Sequence, residues 1–220
     1  MMKKILLLLL LFLPLRAAYA QHWQLRVGGG VASHYDTARP VGAFKFGVGY
    51  EVEFDQHWAF APALLFYGKG WRIPDEPVTI KDDDGNPRFD EDGRPLTGLK
   101  STSTTAHYLE VPLTFNYYLR TAEKRYVVFT AGPYFAVGLT GKMKTRGDAD
   151  RFGGERLYYD CQTFKDYGAH RFDCGLTAGL AYQFASGITA GVETDLGVAK
   201  FNTAGDRNVS VIVALTYTFK

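Results

Sequence analysis

The chain has 220 residues, 46% of them hydrophobic and 22% charged, with a formal net charge of +2. That apolar content excludes a disordered chain, and the near balance of charge leaves no basic excess for holding nucleic acid. The first 20 residues, MMKKILLLLLLFLPLRAAYA, combine Lys3 and Lys4, an apolar run from Ile5 to Leu13 and a small-residue ending at Ala18 and Ala20. This is the pattern of a cleaved secretory signal, and the run is about half the ~20 residues of a spanning helix. Cleavage before Gln21 takes the basic count from 25 to 22 against 23 acids, a net charge of −1.

Beyond residue 20 no apolar run reaches the length of a membrane helix. Segments of about 10 to 15 residues alternate instead with a period of two. They lie near residues 23–33, 41–54, 58–72, 107–120, 125–143, 170–184, 188–201 and 208–219. In the second, Phe44, Phe46, Val48, Tyr50, Val52 and Phe54 share one face, while Ala43, Lys45, Gly47, Gly49, Glu51 and Glu53 share the other. In the last, Val209, Val211, Val213, Leu215, Tyr217 and Phe219 oppose Ser210, Ile212, Ala214, Thr216, Thr218 and Lys220.

Eight is an even number, as closed antiparallel barrels need. Short links follow segments two, four and six, and longer ones follow one, three, five and seven, the pattern of an outer-membrane barrel with periplasmic turns and extracellular loops. The reading is therefore all-β: an eight-stranded antiparallel transmembrane barrel, an up-and-down meander over 21–220, with long loops near 73–106 and 144–169. A soluble lipocalin-like barrel is the competitor, but it points apolar residues inward. Aromatic residues near the strand ends, Trp23, Phe54, Trp58, Trp71, Tyr117, Tyr118, Tyr217 and Phe219, fit interfacial girdles.

In AHYLEVPLTFNYYLR, residues 106–120, alternation sends His107, Leu109, Val111, Leu113, Phe115, Tyr117 and Leu119 to lipid. It turns Tyr108, Glu110, Pro112, Thr114, Asn116, Tyr118 and Arg120 to the lumen. Pro112 costs one ladder hydrogen bond, for which a local bulge is the usual accommodation. The same rule collects Arg26, Lys45, Glu51, Glu53, Lys69, Glu110, Arg120, Arg171, Asp173, Glu193 and Asp195 in one lumenal charge cluster. Eight strands leave an interior just wide enough for side chains to fill, so a core of ion pairs is expected rather than a pore.

The strand HYLEVPLTFNYYL resembles the tyrosine-leucine-glutamate-hydrophobic-proline strand of the PorT-like outer-membrane β-barrel proteins. FAPALLFYGKGW (60–71), TAGPYFAVGLTGK (130–142), FDCGLTAGLAYQF (172–184) and VSVIVALTYTF (209–219) are similar in order, with Ala63 departing where that pattern carries an acid. The resemblance implies a barrel in the bacterial outer membrane and, through the founding member, a link to protein secretion.

No metal or cofactor motif is present. Glu193 and Asp195, two apart on one face, have the same spacing as Glu51 and Glu53, and a filled lumen gives no substrate access to either pair. His34, His107 and His170 fall at the extracellular ends of strands, with Ser33, Ser101 and Ser103 near. Some small outer-membrane barrels modify lipid A with rim histidines, so a rim enzyme is one alternative to a non-enzymatic partner-binding barrel, and a narrow pore is another. In KDDDGNPRFDEDGRPLTG, residues 81–98, an EF-hand counted from Asp82 fails at Pro87 and Gly93. The segment is a repeat of turn formers, expected as a solvated loop or a hairpin past the membrane, with divalent-ion bridging to lipopolysaccharide as the alternative. Cys161 and Cys174, the only cysteines, are a candidate disulfide in an exported chain. The expected partners are outer-membrane lipid, lipopolysaccharide, and envelope or secretion proteins met through the extracellular loops, with no nucleic acid and no cofactor.

Overall fold

The computed structural model describes residues 20–35, 38–82, 84–147 and 159–219. The expected signal, residues 1–20, lies outside them apart from Ala20. The strands in chain order are β1 Ala20–His34, β2 Arg39–Glu53, β3 Trp58–Thr79, β4 Thr97–Ala122, β5 Arg125–Thr140, β6 Lys142–Gly147, β7 Tyr159–Gln162, β8 Phe172–Gln183, β9 Ile188–Gly197 and β10 Asn208–Thr218.

Eight of these close a ring in the order β1, β2, β3, β4, β5, β8, β9, β10, every neighbouring pair being antiparallel. Pairs such as Gln24 with Thr218 and Val31 with Val211 join the first strand to the last. Closure leaves no free sheet edge for lipid to meet, which is what a spanning sheet requires.

Period-two alternation decides what each face touches. Leu25, Phe46, Val48, Leu64, Phe115, Phe129, Leu180, Val192 and Val213 are exposed on the outer wall, whereas Lys45, Tyr67, Glu110, Thr114, Asp195 and Ile212 are buried inside. Trp71 and Tyr118 depart from the girdle expected of them. Trp71 is buried against His34 and Phe201, and Tyr118 turns inward to Glu51.

Pro112 causes no bulge. Pairing with β3 lapses between Pro62–Leu113 and Leu65–Glu110 and resumes in the same register, so the missing N–H costs a ladder position without shifting the strand. The register shifts of β4 against β5 fall elsewhere, at His107/Tyr108 and at Arg120/Ala122.

Half of the segment expected as a long loop at 73–106 is strand. Above the ring β3 and β4 continue as a hairpin, with Ile73 opposite Thr102 and Thr79 opposite Thr97, after a register shift between Ile73 and Glu76. At Gly141 the chain leaves β5 and continues along β4 as β6, which in turn pairs with β7. A Cβ at Gly141 would lie 2.2 Å from the Thr105 carbonyl oxygen, so only glycine fits this approach. The outcome is a four-stranded extension of the same sheet, β3-β4-β6-β7, at the end of the ring that bears the long connections, which is the extracellular end in barrels of this kind.

Its tip is folded rather than slack. Asp82 Oδ1 accepts the N–H groups of Asp84 (3.0 Å) and Asn86 (2.8 Å), and Asp90 Oδ1 accepts those of Asp92 (3.0 Å) and Arg94 (2.8 Å). These two Asx turns carry Gly85 and Gly93 at positive φ. Between them Ile80, Arg88 and Leu96 form a closed backbone cycle: Arg88 donates to Ile80 (2.9 Å), Leu96 to Arg88 (2.8 Å) and Ile80 to Leu96 (2.9 Å). The eight-residue sequence repeat therefore makes a three-cornered knob.

Candidate functional site

The lumen is divided along its length. In its outer half Lys69, from β3, is 3% exposed and lies 2.9 Å from Glu110 Oε2 and 3.5 Å from Asp173 Oδ2. Its ammonium also sits 4.4 Å from the Tyr67 ring centre and 4.5 Å from that of Tyr134, within cation–π range. The strands place these groups together because Tyr67 pairs with Tyr108 across β3–β4, one inward step from Lys69 and from Glu110.

Hydrogen bonds satisfy the remaining atoms. Tyr134 Oη donates to Asp173 (3.3 Å), Asn208 Nδ2 donates to the same carboxylate (2.9 Å), and Thr177 donates to Asp195 (2.6 Å). Tyr67 Oη meets Ser210 Oγ at 2.6 Å, and Ser210 Oγ lies 3.3 Å from Asp195. Lys45 pairs with Glu193. A buried charge needs both an opposite charge and satisfied hydrogen bonds, and this network gives Lys69 both.

Aromatic side chains close the barrel above this network. His34 stacks on Trp71 with ring centres 3.8 Å apart, Phe201 meets Trp71 edge-on at 4.5 Å, and Phe164 from the 163–170 turn meets Tyr108 at 5.6 Å. A Cβ at Gly138 would fall 2.3 Å from the Phe164 ring, so the glycine creates the seat for this cap.

The periplasmic half is different. Several of its inward residues are small, Gly179, Ala181, Gly191 and Ala214 among them, and they border a void of about 30 Å³, room for about one water, beside Arg26. Arg26 donates to Gln24 Oε1 (2.8 Å) and to the Ala61 carbonyl (3.3 Å). Below it a vestibule of about 450 Å³ opens past Glu51, Glu53, Asp55, His57 and Arg120. In the turn at its mouth the N–H groups of His57 and Trp58 hold the Asp55 carboxyl below the usual carboxylate range.

The eleven residues assigned by alternation to one cluster are thus sorted into groups. Lys45 with Glu193, and Glu110 with Asp173 and Asp195, belong to the outer network together with Lys69. Arg26 and Glu51 line the periplasmic half. Glu53 is at the mouth, where His22 lies 3.8 Å away, and Arg120 is exposed there. Arg171 is outside the lumen: it is exposed at the outer rim and donates to the carbonyls of Gly138 (2.7 Å) and Leu139 (3.2 Å). It precedes β8, where the strand's alternation does not yet apply. Sequence reasoning gave no part in the cap to Trp71, Phe164 and Phe201, because the last two come from connecting segments with no strand period to read.

Cys161 and Cys174 are free thiols. Cys161 pairs with buried Met143 on the inward face of the extracellular sheet, while Cys174 pairs with Phe135 on the outer wall. Partners across an antiparallel pair share a face, so the two sulfurs point to opposite sides and do not form the expected bridge.

The rim histidines are separated from the rim serines. His34 is enclosed by Trp71 and Phe201 with Nδ1 3.7 Å from Asp206, His107 faces outward among Phe44 and Phe66, and His170 Nδ1 lies 3.0 Å from the Lys200 carbonyl. Ser33 donates to the Ala38 carbonyl (3.0 Å).

A family model described as outer membrane protein beta-barrel domain matches residues 19–202. Among solved structures, the attachment invasion locus protein Ail of Yersinia pestis, in complex with the heparin analogue sucrose octasulfate, is similar at 12% identity. It has a TM-score of 0.38, over 90% of this chain and 99% of that one. Neisserial surface protein A is similar at 11% identity with a TM-score of 0.42, over 90% and 97%. No curated protein matches the chain.

Proposed function

Because this chain belongs to the outer membrane protein beta-barrel domain family and resides in the bacterial outer membrane, we propose that it is a non-enzymatic, non-conducting barrel that holds an extracellular sheet for a protein partner. The observation that carries this reading is the pairing of a lumen sealed by Lys69, Glu110 and Asp173 with strands β3 and β4 that continue beyond it into a four-stranded sheet. A sealed lumen leaves function to the projecting surface, and a sheet anchored in the barrel wall presents that surface rigidly. Exposed Ile73 and Leu99 on this sheet and Phe89 at its tip supply apolar contact area. The resemblance of the Glu110-Val111-Pro112 strand to PorT-like barrels supports a partner among the envelope proteins of secretion.

Two measurements test the reading. Purified protein in planar bilayers is expected to show no long-lived openings of porin size. Replacing residues 80–96 by a two-residue turn is expected to leave the barrel folded, by its heat-dependent gel mobility, and to abolish cross-linking of its protein neighbour in outer membranes. Stable large openings, or unchanged cross-linking, would refute it.

A further inference from the structure

The periplasmic vestibule ends at a buried carboxylate. Glu51, from β2, is 2% exposed, yet among the described residues no lysine or arginine forms an ion pair with it. Its Oε2 accepts hydrogen bonds from Asn116 Nδ2 (2.8 Å) and Tyr118 Oη (2.5 Å), while Oε1 accepts none from the described residues. The cation of this half, Arg26, is committed to Gln24 and the Ala61 carbonyl. The carboxylate is therefore held in place by neutral donors at the back of a cavity, with no lysine or arginine among the described residues within ion-pair distance.

The cavity itself fits a ligand. At about 450 Å³ it lies within the 300–1,000 Å³ typical of small-molecule sites. Glu53 and Asp55 add negative charge on the wall shared with Glu51, and Arg120 also lines the cavity, its Nε donating to the Ala122 carbonyl at 3.4 Å. A cation entering from the periplasm meets acids along one wall and ends at an oriented carboxylate, whose attraction grows as water is displaced.

We propose that this vestibule binds a guanidinium or primary ammonium group presented from the periplasm, with Glu51 as the terminal acceptor. Two sources carry that chemistry, a free polyamine-like cation and a basic side chain of a periplasmic polypeptide. The site is independent of the extracellular sheet, so the partner-binding reading above can fail without it.

The test uses the full mature chain in lipid nanodiscs and calorimetric titration with Nα-acetyl-L-arginine amide (arginine amide below), spermidine and an acetylated Gly-Arg-Gly amide peptide. Nα-acetyl-L-citrulline amide (citrulline amide below), which carries no ammonium, serves as the neutral isostere. Arginine amide is expected to bind at least tenfold more tightly than citrulline amide, and Glu51→Gln is expected to remove that difference, whereas Glu123→Gln on the β4–β5 turn retains it. Tighter binding of the peptide than of either small cation assigns the polypeptide source, and the reverse assigns the free cation. A measurement that needs no variant is side-chain amide NMR: arginine amide should shift Asn116 and Gln183 and leave Asn208, in the sealed half, in place. Equal binding of citrulline amide, an unchanged Glu51→Gln protein, or the absence of shifts at Asn116 and Gln183 overturns the proposal.

Discussion

Lys69 Nζ lies 2.9 Å from Glu110 Oε2 inside the barrel, with both side chains buried and the ammonium set against the rings of Tyr67 and Tyr134. Removing one member strands the other charge in a low-dielectric interior. Lys69→Met is expected to destabilise the folded barrel by about 3 to 5 kcal/mol, the usual cost of breaking a buried pair. The double substitution Lys69→Met with Glu110→Gln is expected to recover part of that loss. Urea titration in lipid vesicles, followed by tryptophan fluorescence, measures both.

The wall makes a depth-dependent prediction. Val48 is 48% exposed midway along β2 and Ile73 is 43% exposed on the part of β3 above the ring. Val48→Arg is expected to cost about 2 to 4 kcal/mol, because it places a charge near the bilayer midplane, and Ile73→Arg about 0 to 1 kcal/mol. Equal losses in the same vesicle titration would mean that the membrane band is misplaced along the strands.

Gly138 and Phe164 are coupled by contact. Gly138→Ala places a methyl carbon 2.3 Å from the ring, and is expected to lift the 163–170 turn and cost about 1 to 3 kcal/mol by overpacking. On a Phe164→Ala background the same change is expected to cost little, since the clash is gone. Limited proteolysis of the turn, run on the four proteins of the cycle, reads the coupling.

The cysteines give a chemical prediction. With both thiols free and facing opposite sides of the sheet, alkylation of the unreduced, denatured chain is expected to add two labels by intact-mass measurement. Zero labels would establish a bridge.

Much of this architecture is legible in the residues because a strand's period is local. Alternation alone places Phe46 and Val48 outward and Lys45 and Glu51 inward, and it turns Glu110 to the lumen, since each assignment depends only on the parity of neighbours along one strand. The link lengths give eight ring strands and the side on which each long connection falls.

What only the tertiary structure decided is which inward residues meet. Parity says that Lys69, Glu110 and Asp173 share the lumen; barrel closure and strand stagger bring three strands to one height and make them a buried group. The same parity admits Arg26 and Glu51, yet stagger leaves them in the half lined by glycine and alanine, so the lumen is sealed outside and hollow toward the periplasm. Parity misplaces Arg171, which precedes its strand, and it does not place Phe164 or Phe201 in the cap, since Phe164 lies in a turn and Phe201 beyond the end of β9 at Gly197, short of the expected limit at 201. Where the period ends, position is set by long-range packing, and the extension of β3 and β4 past the ring follows from pairing between segments whose sequence carries turn formers and charge rather than a membrane-spanning alternation.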